Sequence, residues 1–442
     1  MEALLVNGPA YIKGELSIGG AKNSALAILP AALLSESPVV LENIPRIVDI
    51  NILLEIMEFL GARVQWLEAN TIRIDPTGFK SITPPYELCK QLRASYYLMG
   101  AMLGHFGHGK VPVPGGCDLG PRPIDQHIKG FSILGTDIVL NHGLVEMRGK
   151  RLKGGQIYLD VVSMGATMNI MMAAVRVPGR TIIENCAKDP EIVDLASFLN
   201  AMGAKVRGAG TEVIKIDGVN CLRGTNYSII PDRIEAGTYM LAAAATRGQV
   251  LLKNVIPIHM NPVIAKLKEA GVFVDIGEDT VFVDGSKNLT SVDVKTFPYP
   301  GFPTDLQSFA AVLLTQARGT GVITENVFVN RFRYINELKR LGAKIKVLKQ
   351  SAIISGGFPF SACSLEATDL RAGAACVIAG LVAKGITEIR GVHHIDRGYD
   401  RIEDKFRCLG VDVERVDEKT KRRKMYAVLG HGDVLPSFLD RG

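Results

Sequence analysis

Cys117 lies in the loop VPVPGGCDLGPRP (111–123), where glycines and prolines surround a single thiol. A thiol has a reference pKa of about 8.5, near enough to neutral pH to donate a proton, and a neighbouring cation such as Arg122 can tune it. Read alone, the cysteine is explained as well by chance exposure in a flexible loop as by catalysis. Pro112, Pro114, Pro121 and Pro123 stiffen short segments between Gly115, Gly116 and Gly120, a composition suited to a lid that closes over substrate.

A second set of chemically capable residues stands at the starts of apolar stretches: Lys22 with Asn23, Arg93, Ser163-Met164-Gly165, Asp232-Arg233, Thr304-Asp305 and Asp369-Leu370-Arg371. Taken singly, Asp232, Asp305 and Asp369 read as helix N-caps, and Lys22, Arg93 and Arg371 as surface charges. Their equivalent placement in successive copies of one unit argues for more, because surface charges have no reason to recur at one step of a repeat. His105, His108, His127, His259, His393 and His394 lack metal-ligand spacing, and a metal site is not expected.

The repeat itself is a phrase ending an amphipathic stretch: FLGARV, ILGTDI, AMGAKV, EAGVFV, RLGAKI and CLGVDV. Its glycines, Gly61, Gly135, Gly203, Gly271, Gly342 and Gly410, recur about 70 residues apart, the size of a small supersecondary unit. Glycine after the last periodic residue suits a left-handed helix terminus, and the alternation beyond it suits a strand. Upstream in each unit lies a stretch of small apolar residues, such as EAGTYMLAAAATR, that predicts a helix buried on most faces.

Six units divide into two sets of three, giving an α/β class with a boundary near Pro231. No G-x-G-x-x-G follows a strand, so a doubly wound nucleotide fold is not expected. If equivalent helices in each set run the same way, their N-termini emerge on one face and offer N–H groups and positive dipole ends to anions.

Composition narrows the class further. Of 442 residues 47% are hydrophobic and 22% charged, as in a globular enzyme of two ordinary domains. The start MEALLVNGPAYIKGELSIGG lacks the pattern of a secretory signal and reads as a strand, and no apolar run reaches the ~18 residues of a membrane span. Seven scattered cysteines (89, 117, 186, 221, 363, 376, 408) without a C-x-x-C pair predict neither disulfides nor zinc and suit a reducing cytoplasm. The net charge of +6 is spread along the chain apart from EKTKRRK (418–424), which reads as a solvated turn or tail, so neither nucleic acid nor a membrane is an expected partner. Oligomeric state has no signature in the sequence.

Nine segments in order carry a resemblance: GGAKNSAL (19–26), LRASYYLMG (92–100), PGGCDLGPRPIDQH (114–127), SMGATMNIM (163–171), DRIEAGT (232–238), PGFPTDLQ (300–307), ENVFVNRF (325–332), DLRAGAA (369–375) and IDRGYDRIE (395–403). Together they resemble the UDP-N-acetylglucosamine 1-carboxyvinyltransferases, enolpyruvyl transferases that open peptidoglycan synthesis. The resemblance implies a two-domain inside-out α/β barrel, each domain three βαβαββ-like repeats, with the active site in the cleft between. Residues 22–231 would form one domain, and 1–21 with 232–442 the other, about 417–442 being a C-terminal extension.

The resemblance also implies roles. Cys117 is the acid that protonates the methylene carbon of phosphoenolpyruvate, Asp305 the base at the sugar 3'-hydroxyl, and Lys22, Asn23 and Arg397 complete the catalytic set. Lys22, Arg122 and Arg397 hold phosphate, Arg93 and Arg371 lie near the phosphoenolpyruvate, and Asn23 contacts the intermediate. Arg122, Pro123, Ile124, Asp125 and Gln126 take the uridine, Ser163, Met164 and Gly165 the diphosphate, and Val327 adds a backbone contact; Arg93 also serves this substrate. Asp369 matches a cleft residue, and Val161 stands where some relatives carry lysine. No cofactor is implied.

The sister transferase acting on shikimate 3-phosphate shares the sixfold repeat, but the GGC loop and the RPID run argue against it. An idle paralogue that binds UDP-sugar and regulates wall synthesis is opposed by the presence of Cys117, Asp305, Lys22 and Arg397.

Overall fold

The computed structural model describes residues 2–113 and 124–417. All six repeat glycines have positive φ, from +81° to +110°. Each ends one of the helices Val48–Phe59, Asp125–Ile133, Pro190–Ala201, Asn261–Glu269, Ile335–Arg340 and Ile402–Cys408, and each is followed by a strand. At Gly61 a Cβ would also stand 2.1 Å from the Gly78 carbonyl oxygen, so this turn excludes a side chain on two grounds.

The apolar stretches form six central helices: Lys22–Ala32, Tyr97–Phe106, Met164–Ala174, Arg233–Ala245, Gln307–Gln316 and Leu370–Val382. Every residue of Arg233–Ala245 is buried. Small residues make such burial possible. A Cβ at Gly100 would lie 2.3 Å from the Asn169 backbone oxygen, so glycine lets Tyr97–Phe106 and Met164–Ala174 pack backbone to backbone.

Two hydrophobic cores result. One is built from residues between Ala25 and Ile229; the other joins Leu4–Ile18 to residues from Ile234 to Val413. Around them, among the described residues, lie six small sheets. In five, a leading strand is parallel to the strand that follows a central helix, and two further strands continue the sheet antiparallel. The sheet around His108–Pro112 has three strands and no leading strand among the described residues. The N-terminal strand Ala3–Gly8 completes the last unit by lying between Ala383–Arg390 and Val413–Val416.

The two cores exchange one strand each. Lys13–Ser17 leads into the helix Lys22–Ala32 of the first core yet pairs with Gln249–Lys253 of the second. Asn226–Ser228 leads into Arg233–Ala245 of the second yet pairs with Val39–Glu42 of the first. The crossing segments are stitched by Ala21 N–H to the Ile230 carbonyl and Asp232 N–H to the Gly19 carbonyl, both at 2.8 Å. Among the described residues no helix is long and apolar enough to cross a membrane.

Candidate active site

A cavity of about 590 Å³ lies between the two cores, and all six central helices bring residues of their first turn, or of the turn just before it, to its wall. Helix N-termini carry unpaired N–H groups and partial positive charge, so six of them on one cavity favour an anionic ligand. Asp232, Asp369 and Ser163 do cap their helices. Asp232 accepts from Ile234 and Glu235 N–H, Asp369 from Arg371 and Ala372 N–H, and Ser163 from Ala166 N–H. Asp305 sits instead inside the 3-10 turn Thr304–Leu306, whose N-cap position is Pro303.

The wall holds Lys22, Arg93, Arg233, Arg331, Arg371 and Arg397 against Asp49, Asp125, Asp189, Asp305 and Asp369. With signs so nearly balanced, their arrangement decides where an anion binds. Lys22 Nζ stands 2.7 Å from Asp49 Oδ2, and Arg397 Nε, from the other core, 2.8 Å from Asp49 Oδ1. Burial works against the Asp49 charge, but Lys22 and Arg397 outweigh it and hold the carboxyl below the usual aspartate range. Burial lowers the Lys22 pKa, Asp49 opposes the fall, and the Arg371 and Arg397 guanidiniums add to it. Lys22, Arg371 and Arg397 thus form a cationic cluster with Asp49 beside it.

Asp305 Oδ1 is 2.7 Å from Arg331 Nη2, and Oδ2 is 3.5 Å from Arg371 Nη2. Arg371 is fixed from behind: its Nη1 donates to the Tyr399 hydroxyl at 3.1 Å, which donates to Thr238 Oγ1 at 2.8 Å, which donates to the Ile234 carbonyl. The turn carrying Asp305 is anchored by the buried Glu325. That carboxylate accepts from Thr304 Oγ1 at 2.8 Å, Gln307 Nε2 at 3.3 Å, Thr296 Oγ1 at 2.9 Å, and Val327 and Phe328 N–H at 2.7 and 3.0 Å. Val327 lines the cavity with its N–H spent on Glu325, which leaves its carbonyl as the polar backbone group to meet a ligand.

Across the cavity, Gln126 is tied to Asp160 through both amide atoms and also donates to Asp125. His127 Nδ1 is 3.0 Å from Asn169 Nδ2, while Asn169 Oδ1 accepts from Gly100 N–H. This bonding assigns the imidazole proton to Nε2. Burial, aided by Arg93, pushes the His127 pKa down to about 4, so the ring is neutral. A Cβ at Gly165 would come 2.6 Å from the Tyr96 hydroxyl, which explains glycine at this helix start. Val161 lines the wall and is exposed.

Arg233 closes the rim from the second core onto Asp189 at 3.2 Å and Glu191 at 3.1 Å in the first. Burial, reinforced by Glu191, raises the Asp189 pKa.

Of the residues singled out in the sequence, Lys22, Asn23, Arg93, Asp125, Gln126, Ser163, Met164, Gly165, Asp305, Val327, Asp369, Arg371 and Arg397 all line this cavity. Ile124 does not; it is half-buried and packs against the first core. Cys117, Arg122 and Pro123 lie outside the described residues. Sequence reading passed over Asp49, Asp189, Arg331 and Tyr399. Arg331 and Tyr399 fall within motifs quoted for the resemblance, whereas Asp49, in IPRIVDINI, opens an ordinary amphipathic helix and had no local signal.

The profile of the EPSP synthase family (3-phosphoshikimate 1-carboxyvinyltransferase) matches residues 6–406. Among solved structures, the enolpyruvyl transferase NikO from Streptomyces tendae superposes with a TM-score of 0.85 at 26% identity, covering 94% of this chain and 99% of that one. EPSP synthase from Acinetobacter baumannii shares the fold, with a TM-score of 0.71 at 20% identity over 94% of this chain and 100% of that one. Fold and cavity are therefore of the enolpyruvyl transferase class. UDP-N-acetylglucosamine 1-carboxyvinyltransferase 3 of Caldanaerobacter subterraneus subsp. tengcongensis is 54% identical over 95% of this chain and 100% of its own length. The corresponding protein 2 of Geobacillus kaustophilus is 52% identical over 96% and 100%. The chain belongs to this family of carboxyvinyltransferases.

Proposed function

We propose that the enzyme transfers the enolpyruvyl group of phosphoenolpyruvate to the 3'-hydroxyl of UDP-N-acetylglucosamine and releases phosphate, the first committed step of peptidoglycan synthesis. Near-full-length identity to relatives bearing that name supports the assignment. The observation that carries the chemistry is Asp305 held beside the Lys22, Arg371 and Arg397 cluster in one cavity.

Asp305 accepts the proton of the 3'-hydroxyl. Its Oδ1 lies 2.7 Å from Arg331 Nη2 and its Oδ2 3.5 Å from Arg371 Nη2, so two guanidiniums orient the carboxylate for that role. The freed oxygen attacks C2 of phosphoenolpyruvate while an acid, assigned by resemblance to Cys117, delivers a proton to C3, giving a tetrahedral ketal. Loss of a proton from C3 and breakage of the C2–O bond then expel phosphate and form the enol ether. Lys22 and Arg397, joined in the family by Arg122, stabilise the departing phosphate, while Arg371 and Arg93 serve the carboxylate side. Asn23 contacts the intermediate. Asp125, Ser163, Met164, Gly165 and the Val327 carbonyl hold the nucleotide sugar; Gln126 contributes by fixing Asp160 and Asp125.

The separate cores and exchanged strands support two domains, 22–231 and 1–21 with 232–442, each an inside-out barrel around its central helices. The thiols of the described residues are scattered and unpaired, which suits a cytoplasmic setting. The test is phosphate release from phosphoenolpyruvate with each acceptor. Turnover with UDP-N-acetylglucosamine and not with shikimate 3-phosphate is expected; the reverse preference, or binding without phosphate release, would reject the assignment.

A further inference from the structure

We propose that Asp49 is a positioning residue for the phosphate of phosphoenolpyruvate, fixing the Lys22 ammonium and the Arg397 guanidinium on one carboxylate across the cleft. The inference rests on the functional reading above. Lys22 belongs to the first core and Arg397 to the second, and Asp49 meets both: Lys22 Nζ stands 2.7 Å from Oδ2, while Arg397 donates from Nε to Oδ1 at 2.8 Å and from Nη2 to Oδ2 at 3.4 Å. The contact is reinforced where Val48 N–H donates to the Asp396 carbonyl at 3.0 Å, so the backbones beside both partners are also joined. The Asp49 side chain is 3% exposed, which places the interaction in a medium that screens it little.

Charge bookkeeping indicates what the carboxylate does. Lys22 and Arg397 share the single carboxylate of Asp49, so the pair keeps a net positive charge with which to meet an anionic phosphate. Lys22 is the weak member of that pair. Its side chain is buried, its own N–H is bonded to Asp232 Oδ2 at 3.0 Å, and the charges facing it are Asp49, Arg371 and Arg397. Burial and the two guanidiniums favour the neutral amine; Asp49 is the group that resists this. Without it, the cluster loses a proton as well as an anchor, and the Arg397 side chain loses the carboxylate that aims it from the opposite core.

The test is Asp49→Asn, which keeps the shape and removes the charge. Since the folded Lys22 pKa falls further without Asp49, the cation is lost at lower pH. The alkaline limb of kcat/KM for phosphoenolpyruvate should therefore move down by about one pH unit or more, with a fall of at least ~10-fold at pH 8. The KM for UDP-N-acetylglucosamine should stay within about threefold, and Asp49→Glu should restore the alkaline limb even where kcat is reduced. An unshifted limb, or equal losses for both substrates, would overturn the role of Asp49. Wild-type protein that releases no phosphate with the two substrates would remove the functional reading and this inference together; an active wild type matched by Asp49→Asn would remove only the inference.

Discussion

Glu325→Gln is the sharpest probe of how the fold holds its base. The Glu325 carboxylate accepts five hydrogen bonds, with Thr296, Val327 and Phe328 on Oε1 and Thr304 and Gln307 on Oε2. An amide has one accepting oxygen, so whichever way it is turned one of these groups faces an NH2. The less costly orientation keeps the three bonds to Oε1 and sets the NH2 against Thr304 and Gln307. Hydrogen bonds to a charged group contribute about 1.5–3 kcal/mol each; allowing the Thr304 hydroxyl to rotate and accept, the expected loss is about 2–4 kcal/mol of stability. Thr304 directly precedes Asp305, so the 3-10 turn is also released. A displacement of the base by ~1 Å lowers kcat on the order of 100-fold.

Urea unfolding and steady-state phosphate release measure the two effects separately. Thr296→Val is the control, because it removes an Oε1 partner and the acceptor of Asn326 N–H but leaves the Thr304 bond intact. It should cost about 2–4 kcal/mol and change kcat by no more than roughly threefold. If Glu325→Gln lost stability but kept wild-type kcat, the link from Glu325 to Asp305 would be refuted; unchanged stability would refute the buried network itself.

Three further outcomes are expected. Cys117→Ser should lose nearly all turnover while retaining UDP-N-acetylglucosamine binding, and fosfomycin, the epoxide inhibitor the family resemblance points to, should add to Cys117; mass spectrometry locating the adduct on the exposed Cys221 or Cys408 instead would count against that acid. His127 is neutral in the fold with a pKa of about 4 against 6.5 unfolded, so its contribution is fully present above pH 6.5 and is lost as pH falls from there towards 4. About 3 kcal/mol is at stake, and urea unfolding of wild type against His127→Gln across that range should show the variant's profile flatter; parallel profiles would contradict the assignment. Gly165→Ala must push the Tyr96 hydroxyl, 2.6 Å from the new methyl, and should raise KM for the nucleotide sugar on the order of tenfold with kcat little changed; an unaltered KM would mean the helix start does not touch that substrate.

The sequence by itself determined the unit and its count. Helix ends at Gly61, Gly135, Gly203, Gly271, Gly342 and Gly410 depend on the φ angle of single residues, and the buried central helices on apolar content over three turns; both are local properties that a linear reading can reach. Most of the described residues that the resemblance nominated line the cavity, while Ile124, at the N-cap of Asp125–Ile133, packs against the first core.

Which residues meet was decided only by the tertiary structure. Asp49 and Arg397 are 348 positions apart and share one ion pair because the two cores exchange strands Lys13–Ser17 and Asn226–Ser228 and so face each other. The N-cap reading suited Asp232 and Asp369 but not Asp305, since cap geometry depends on where the preceding chain enters, and Asp305 lies within a 3-10 turn whose Thr304 hydroxyl is held by the distant Glu325. Lys22 reads along the chain as an unremarkable cation. Its strained charge state, and the need for Asp49 beside it, arise from burial among guanidiniums delivered by distant helices, and burial is a property of the packed molecule rather than of any segment of it.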